Sequence, residues 1–378
     1  MATRASEEVV SFHRKVGGMC VDRLRDALDP ATRLFDRQLR DRRWDATIDT
    51  EDVTSTGICL VGLHRAGIDP ARIGLQVRPT IEAMADALKR RQYPGGFGLV
   101  AWANAVWGEL ALDALAARCG VDLSDPRRFA APLTTMETAW LLSGLVHEAR
   151  RSGEARTRQA QAALRDELLG RCRARTHIFQ HAGDQAPMRH RLRTHVANFA
   201  DQIYSVQALA FTAIAEGNAA ALAAADGSAR RLVELQGPLG QWWWHYDPRS
   251  GSVAQGFPVY AVHQHAMAPM ALMALAAAGG TDHRAAVDLS HRWIAHNELS
   301  VDLLDTGHGT IWRDIEPEES SLGRITRHSR SVLGLAPADV TRAPGRLRVN
   351  HETRPYEWAW CLYAGAIASG TRQDRHVV

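Results

Sequence analysis

The chain has 378 residues, 46% of them hydrophobic and 23% charged, so a large core can form without help from metals or disulfides. Its formal net charge is only +3, with 45 basic residues interleaved among 42 acidic ones, which argues against a nucleic-acid partner. Its scattered cysteines (Cys20, Cys59, Cys119, Cys172, Cys361) form no CxxC pair, its N-terminus carries no apolar run after its charges, and no apolar stretch reaches the roughly 20 residues of a bilayer span. A soluble cytoplasmic protein with no transmembrane segment is expected.

Runs of β-branched residues with period 2 are sparse, whereas Ala/Leu-rich helical patterns recur throughout. Near the N-terminus the acids Asp45, Asp49, Glu51 and Asp52 precede the apolar stretch Thr54–Leu63. Acids there suit the positive end of a helix dipole, and Asp52 or Thr54 can cap the helix. Crowded carboxyls can also raise one another's pKa and leave one protonated as a strong acid. A glycine-rich turn follows at Gly95–Gly98, and then five more stretches that are apolar almost all round: Ala105–Leu115, Thr138–Leu145, Gln202–Ala213, His263–Leu275 and Trp358–Ile367. A helix apolar on every side is buried on every side. Gly57, Gly62, Gly108, Gly144 and Gly365 permit close approach of neighbours. Between them lie amphipathic segments such as Glu154–Arg175, where Ala160, Ala163, Leu164, Leu168 and Cys172 share one face. This alternation predicts an all-α fold, an (α/α)6-type toroid of inner and outer helices. No Pro-, Gly- or Ser-rich linker divides the chain, so residues 1–370 read as one toroid domain, 333–349 as a loop within it, and 371–378 as a flexible C-terminal tail.

Several polar groups stand out against this apolar background. His177 and His181 have a helical i,i+4 spacing but lack the acid of an HExxH pattern, so neither a metal nor a cofactor is expected. The basic run Arg189, His190, Arg191, Arg193, His195 reads either as a solvated face or as an anion site for a diphosphate or a uronate. Asp201 and Tyr204 stand at the start of an apolar stretch. Trp242, Trp243 and Trp244 are consecutive and cannot share one helix face, so some border a cavity, with Tyr246 beside them. Tyr260, His263 and Gln264 follow on an otherwise apolar segment, where polar groups need partners or a ligand. Asp305 and His308 occupy a Gly-rich turn, and Glu357 opens the last apolar stretch. These residues are the candidate substrate-binding set for a small molecule. The chain has no P-loop, no dinucleotide fingerprint and no nucleophile elbow.

Tyr93-Pro94-Gly95-Gly96-Phe97-Gly98 resembles the glycine-rich turns of α/α toroids such as prenyltransferase β subunits and squalene–hopene-type cyclases. Gln241–Tyr246 looks like the Gln/Trp turns of the same cyclases. Asp49–Thr54, continuing to Gly67, is similar to the acidic motif of class II terpenoid cyclases; Glu51 stands where that family has its proton-donating Asp, and Val53 intervenes before Thr54. The resemblance implies a cavity enzyme, an isomerase or lyase, in which Asp49, Glu51 and Asp52 initiate cyclisation of a prenyl or polyprenyl substrate and aromatic faces stabilise the carbocation. Two alternatives stay open. Helical toroids also host polysaccharide lyases, glycoside hydrolases and sugar epimerases, and the Trp242–His265 region fits that inventory; a non-catalytic ligand-binding toroid is the other. A cyclase requires an apolar, aromatic cavity. A sugar enzyme requires a polar groove with acids or a His/Tyr couple beneath a Trp, and a non-catalytic toroid an interior filled by side chains.

Overall fold

The structure, a computed structural model, describes residues 5–46, 51–335 and 339–370. The predicted C-terminal tail therefore lies outside the described residues. The helices in chain order are α1 (Glu7–Ala27), α2 (Glu51–Arg65), α3 (Val77–Arg91), α4 (Phe97–Trp107), α5 (Leu112–Cys119), α6 (Pro126–Ala130), α7 (Thr135–Ser152) and α8 (Ala155–Gly170). They continue with α9 (Met188–Arg191), α10 (Phe199–Glu216), α11 (Ala219–Glu234), α12 (Ala268–Ala277, entered through a π turn at His263–Met267), α13 (Arg284–Trp293), α14 (Ser321–Val332) and α15 (Pro355–Ala368).

Helices α2, α4, α7, α10, α12 and α15 pack each against the next, and α15 returns to α2, so the inner ring closes. Their faces are buried nearly all round, as their sequences require. Helices α1, α3, α8, α11 and α13 lie outside, α1 against α15 and α8 against α7. The fold is thus the all-α toroid that the sequence predicts. Ala105–Leu115 departs from that prediction. Gly108 adopts a left-handed backbone (φ 72°) and ends α4, so this stretch straddles a turn and the start of α5. The inner helix begins instead at the glycine turn before Phe97.

Two inner-ring glycines are fixed by close approach. A Cβ on Gly62 would collide with the Ala359 carbonyl of α15, and one on Gly98 with the Leu141 amide of α7. Aromatic rings then plug the axis. Trp102 of α4 meets Phe211 of α10 (5.8 Å) and Trp360 of α15 (5.9 Å), and Trp360 Nε1 donates to the Tyr204 hydroxyl at 2.7 Å. These helices are not neighbours in the ring, so their contacts cross its centre.

Short antiparallel strands decorate the connections that lead into the inner helices. They are β1 (Arg37–Arg40), β2 (Arg43–Ala46), β3 (Ala197–Asn198), β4 (His245–Asp247), β5 (Ser252–Gln255) and β6 (Val259–Tyr260). The remaining ones are β7 (Leu304–Asp305), β8 (Thr310–Ile311), β9 (Asp314–Pro317), β10 (Leu347–Asn350) and β11 (Glu352–Thr353). They pair in the orders β11-β1-β2, β10-β9-β6, β3-β4-β5 and β7-β8. Strands of two to four residues are too short to show an alternating pattern. They build walls at the N-terminal ends of α10, of the π turn and of α15. No helix among the described residues is long and apolar enough to cross a membrane.

Candidate functional site

A cavity of 520 Å³ opens among these walls, within the size range of ligand sites. Its lining draws on β1, on the β3-β4-β5 and β6-β9-β10 sheets, and on the caps of α10 (Asn198) and α15 (Arg354). Positive helix ends at both caps add to its field. Seven arginines face four carboxylates in the lining, an excess of three positive charges. Most of these charges are already committed. Glu316 holds Arg348 at 2.6 Å, Glu319 holds Arg327, and Glu352 holds both Arg40 and Arg354 at 2.6 Å. Burial pushes the Glu352 carboxyl up, but Arg313, Arg354 and Arg40 together bring it below its usual value. Arg313 is gripped from behind the wall by Glu357 at 2.9 Å and lies over the Tyr260 ring, 5.3 Å from its centroid.

Asp314 and Arg193 are different. Asp314 is 2% exposed; Asn350 Nδ2 donates to its Oδ2 at 3.1 Å, while its Oδ1 is buried with no hydrogen-bond partner among the described residues. Burial is the largest influence on this carboxyl. It outweighs the Arg313 guanidinium 3.7 Å away and, helped by the neighbouring Glu316, raises the pKa to about 7. The Arg193 side chain makes no hydrogen bond or ion pair among the described residues, and its Nε is buried. Burial depresses its pKa, an effect that Asp201 partly offsets. Beside them stands an aromatic wall. The half-buried Trp244 lies 4.7 Å from Tyr260, and His263 stacks parallel to Trp244 at 6.2 Å. Burial, with Arg313 and His265 nearby, lowers the His263 pKa to about 3, so this imidazole is neutral.

The sequence candidates divide accordingly. Trp244 and Tyr260 line the cavity, and His263 backs them. Trp242, Trp243 and Tyr246 are buried structural groups: the Trp243 indole donates to the Leu235 carbonyl at 2.8 Å, and the Tyr246 hydroxyl accepts from the Trp243 amide at 3.1 Å. Gln264 accepts from the Trp242 amide and donates to the Tyr260 carbonyl, which fixes the turn that presents Trp244. Asp201 caps α10 through a reciprocal bond with Asn198 and also holds His181 at 2.8 Å; that bond commits His181 to a carboxylate. Glu357 plays the same capping part for α15. Tyr204 belongs to the axial plug. Asp305 and His308 lock their own turn at 2.7 Å and do not line the cavity. Asp49 lies outside the described residues, and Glu51 and Asp52 stand in the first turn of α2.

Asp314, Arg313, Arg348 and Arg354 are site residues that the sequence patterns do not single out. Arg313 and Asp314 stand in the charged stretch Arg313-Asp314-Ile315-Glu316, which is compatible with any exposed strand, and Arg348 and Arg354 give no signal beyond their own charge.

No protein-family model and no curated protein matches this chain. Among solved structures it is similar to an unsaturated glucuronyl hydrolase specific for heparin, with 12% identity, 97% of this chain and 99% of that one covered, and a TM-score of 0.61. It is also similar to the unsaturated glucuronyl hydrolase of Bacillus sp. GL1 (12% identity, 96% and 97% covered, TM-score 0.57). A third is a protein of Salmonella enterica named as a possible member of the GH105 family (11% identity, 95% and 93% covered, TM-score 0.54). At these identities the likeness shows the toroid fold. It also corrects the expectation of a class II terpenoid cyclase, since these toroids carry the names of sugar-cleaving enzymes. The cavity gives the physical reason. Seven arginines and four carboxylates dominate its lining beside Trp244 and Tyr260, so a carbocation would meet nucleophilic carboxylates and repelling guanidiniums and not the mostly apolar, aromatic cavity that a cyclase requires. The proton-initiating role of Asp49, Glu51 and Asp52 falls with that expectation.

Proposed function

We propose that this chain is a carbohydrate-active enzyme that hydrolyses a glycosidic bond of an acidic, uronyl-type sugar in the cavity at the ring mouth. The carrying observation is Asp314, a buried carboxyl whose Oδ1 has no partner among the described residues, in the lining of a cationic cavity beside Trp244; burial raises its pKa to about 7. The sugar ring stacks on Trp244 and Tyr260, whose flat faces suit the C–H face of a pyranose. Its carboxylate takes the unpaired guanidinium of Arg193, a charge-assisted contact. Asp314 donates its proton to the departing glycosidic oxygen, water adds to the anomeric carbon, and the proton that water releases returns to the Asp314 carboxylate. The similar glucuronyl hydrolases support this reading through the acidic sugar in their names.

The test is incubation of the purified chain with saturated and 4,5-unsaturated glucuronyl disaccharides and with their neutral glucosyl counterparts, with products followed by chromatography. Cleavage of a uronyl substrate that is lost in Asp314→Asn is expected. Cleavage of the neutral counterparts in preference, or full activity in Asp314→Asn, would overturn the reading.

A further inference from the structure

Of the large hydrophobic side chains that the described residues expose, Met188, Leu192, Leu322, Ile325, Leu333 and Leu335 are each 60–72% exposed, while Ile214, Leu239 and Val301 reach only 36–40%. The first six lie on two segments, α9 with the residue after it and α14 with the residues that follow it. The segments meet. His195 Nε2 donates to the Val332 carbonyl at 2.8 Å, and Arg193 and Arg324 stand in the lining of the same charged cavity. Ile325 and Leu333 follow Leu322 by three and eleven residues, spacings that an α-helix places in one stripe. Single exposed leucines are ordinary, but a face that gathers all the strongly exposed apolar groups of the described residues marks an interaction surface.

The charges set among these side chains define what covers them. Arg189, Arg191, Arg324 and Arg330 are exposed there, and none pairs with a carboxylate among the described residues. Arg189 donates to the His190 ring and Arg330 to the Leu335 carbonyl, while the Arg191 and Arg324 side chains make no hydrogen bond among the described residues. The acids that precede α14 are spent, Glu319 on Arg327 and Glu318 on Arg346. A second copy of this chain, packed across a two-fold axis, would set these arginines against their own counterparts, so the covering surface is anionic. The six strongly exposed side chains include no Trp or Tyr, the usual anchors of protein interfaces. An aliphatic stripe accompanied by arginines is instead the pattern of a helix that lies in the plane of a bilayer surface.

From this juxtaposition of exposed aliphatic side chains and uncompensated arginines on two joined segments, we infer that α9 and α14 form a docking surface for an anionic phospholipid bilayer. Met188, Leu192, Leu322, Ile325 and Leu333 enter the boundary between headgroups and acyl chains. The long apolar stems of the arginines let their guanidiniums reach the lipid phosphates above them. The charged cavity, whose wall includes Arg193 and Arg324, then opens beside the membrane surface. Docking in this way requires no particular substrate in the cavity, so vesicle binding and activity on uronides are separate readouts.

The experiment sediments the full chain with vesicles of phosphatidylcholine alone and of phosphatidylcholine mixed with phosphatidylglycerol, at low and at high sodium chloride. Partition to the anionic vesicles at least about tenfold stronger than to the neutral ones, and weakened by salt, is expected. The double variant Leu322→Ser, Ile325→Ser should reduce that partition by about tenfold through lost apolar burial. Arg191→Gln and Arg330→Gln should each reduce it by about fivefold. All four side chains are exposed, so the variants are expected to fold, and circular dichroism checks this. Equal partition to both kinds of vesicle, or none to either, overturns the inference. So does anionic binding that every variant leaves unchanged, which would place the contact elsewhere on the chain. Binding to polyglutamate in place of vesicles would assign the face to an acidic polypeptide and overturn it too. A dimer in analytical ultracentrifugation that the double variant abolishes would show that a second copy covers the face, with the same consequence.

Discussion

Replacement of Asp314 by Asn tests the site through two independent readouts. The ordinary carboxyl pKa of 3.8 rises to about 7 in the folded chain, chiefly through burial. A shift of about three units corresponds to roughly 4 kcal/mol between the two protonation states. The sign follows from proton linkage. Between these two values the folded state keeps a proton that the unfolded state has released. Stability from this group is therefore full below pH 3.8, falls as pH rises, and is lost once pH passes about 7. Asn cannot ionise, so the variant lacks this loss. At about 2.1 cal/mol/K per residue, the unfolding entropy of a chain of 378 residues converts ~4 kcal/mol into roughly 5 °C. The Tm of the natural chain minus that of Asp314→Asn should thus fall by about that amount between pH 4 and pH 8, other titrations being common to both proteins. In parallel, kcat/KM of the natural chain should decline above pH 7, and Asp314→Asn should lose roughly 10²- to 10⁴-fold in kcat. A Tm gap that stays constant with pH would mean that Asp314 is ionised throughout. The proton-donor argument would then be refuted, whatever the activity.

Other expectations follow from the same geometry. Trp244→Ala should weaken sugar binding by about tenfold in calorimetry, because the half-buried ring lies tilted beside Tyr260 in the cavity lining, with little change in Tm. Arg193→Gln should lower the preference for glucuronyl over glucosyl ligands by roughly 10- to 100-fold, the contribution of one charge-assisted contact, while neutral-sugar affinity stays unchanged. Gly62→Ala should destabilise the chain by about 1–3 kcal/mol in urea unfolding, since the new methyl forces α2 away from the Ala359 carbonyl of α15. His147 and His291 have pKa values lowered to about 4, and His263 and His265 to about 3, mainly by burial. Each contributes stability that is present above the ordinary 6.5 and lost as pH falls through its folded value, so these groups should lower the Tm followed by circular dichroism as pH falls from 6.5 toward 4, equally in the natural chain and in Asp314→Asn.

The ring is legible in the sequence because burial on all sides leaves a mark that survives without an alignment. Thr138–Leu145, Gln202–Ala213 and Trp358–Ile367 lack a polar face, and a helix without one has few places to go other than the middle of a toroid. The same criterion fails at Ala105–Leu115, where apolar residues continue across the Gly108 turn and hide a helix end. Composition alone does not see a reversal of chain direction. The local glycine and tryptophan turns are informative about the toroid and misleading about its chemistry. Gly95–Gly96 and the tryptophan turn perform packing tasks that any ring of paired helices shares, so their likeness to cyclase turns carries fold and leaves the reaction open.

The site is harder to read for a reason specific to this architecture. Polar residues at the heads of inner helices are needed twice, once to cap the helix and once to meet a ligand, and the two uses favour the same residue types. Asp201 and Glu357 look like cavity acids in sequence, yet each accepts backbone and side-chain donors until its oxygens are occupied. Neither carboxylate has an oxygen left over for a substrate. Asp314 sits one residue after an arginine and opens a four-residue strand, with no helix to cap, and its second oxygen has no partner among the described residues. Unspent hydrogen-bonding capacity, read together with burial, therefore separates a reactive acid from a structural one in this toroid, and it can be counted only when the partners are in place. Arg193 obeys the same rule among the cations: several neighbouring arginines are paired, and its guanidinium has no partner among the described residues, which is why the proposal gives it the substrate's carboxylate.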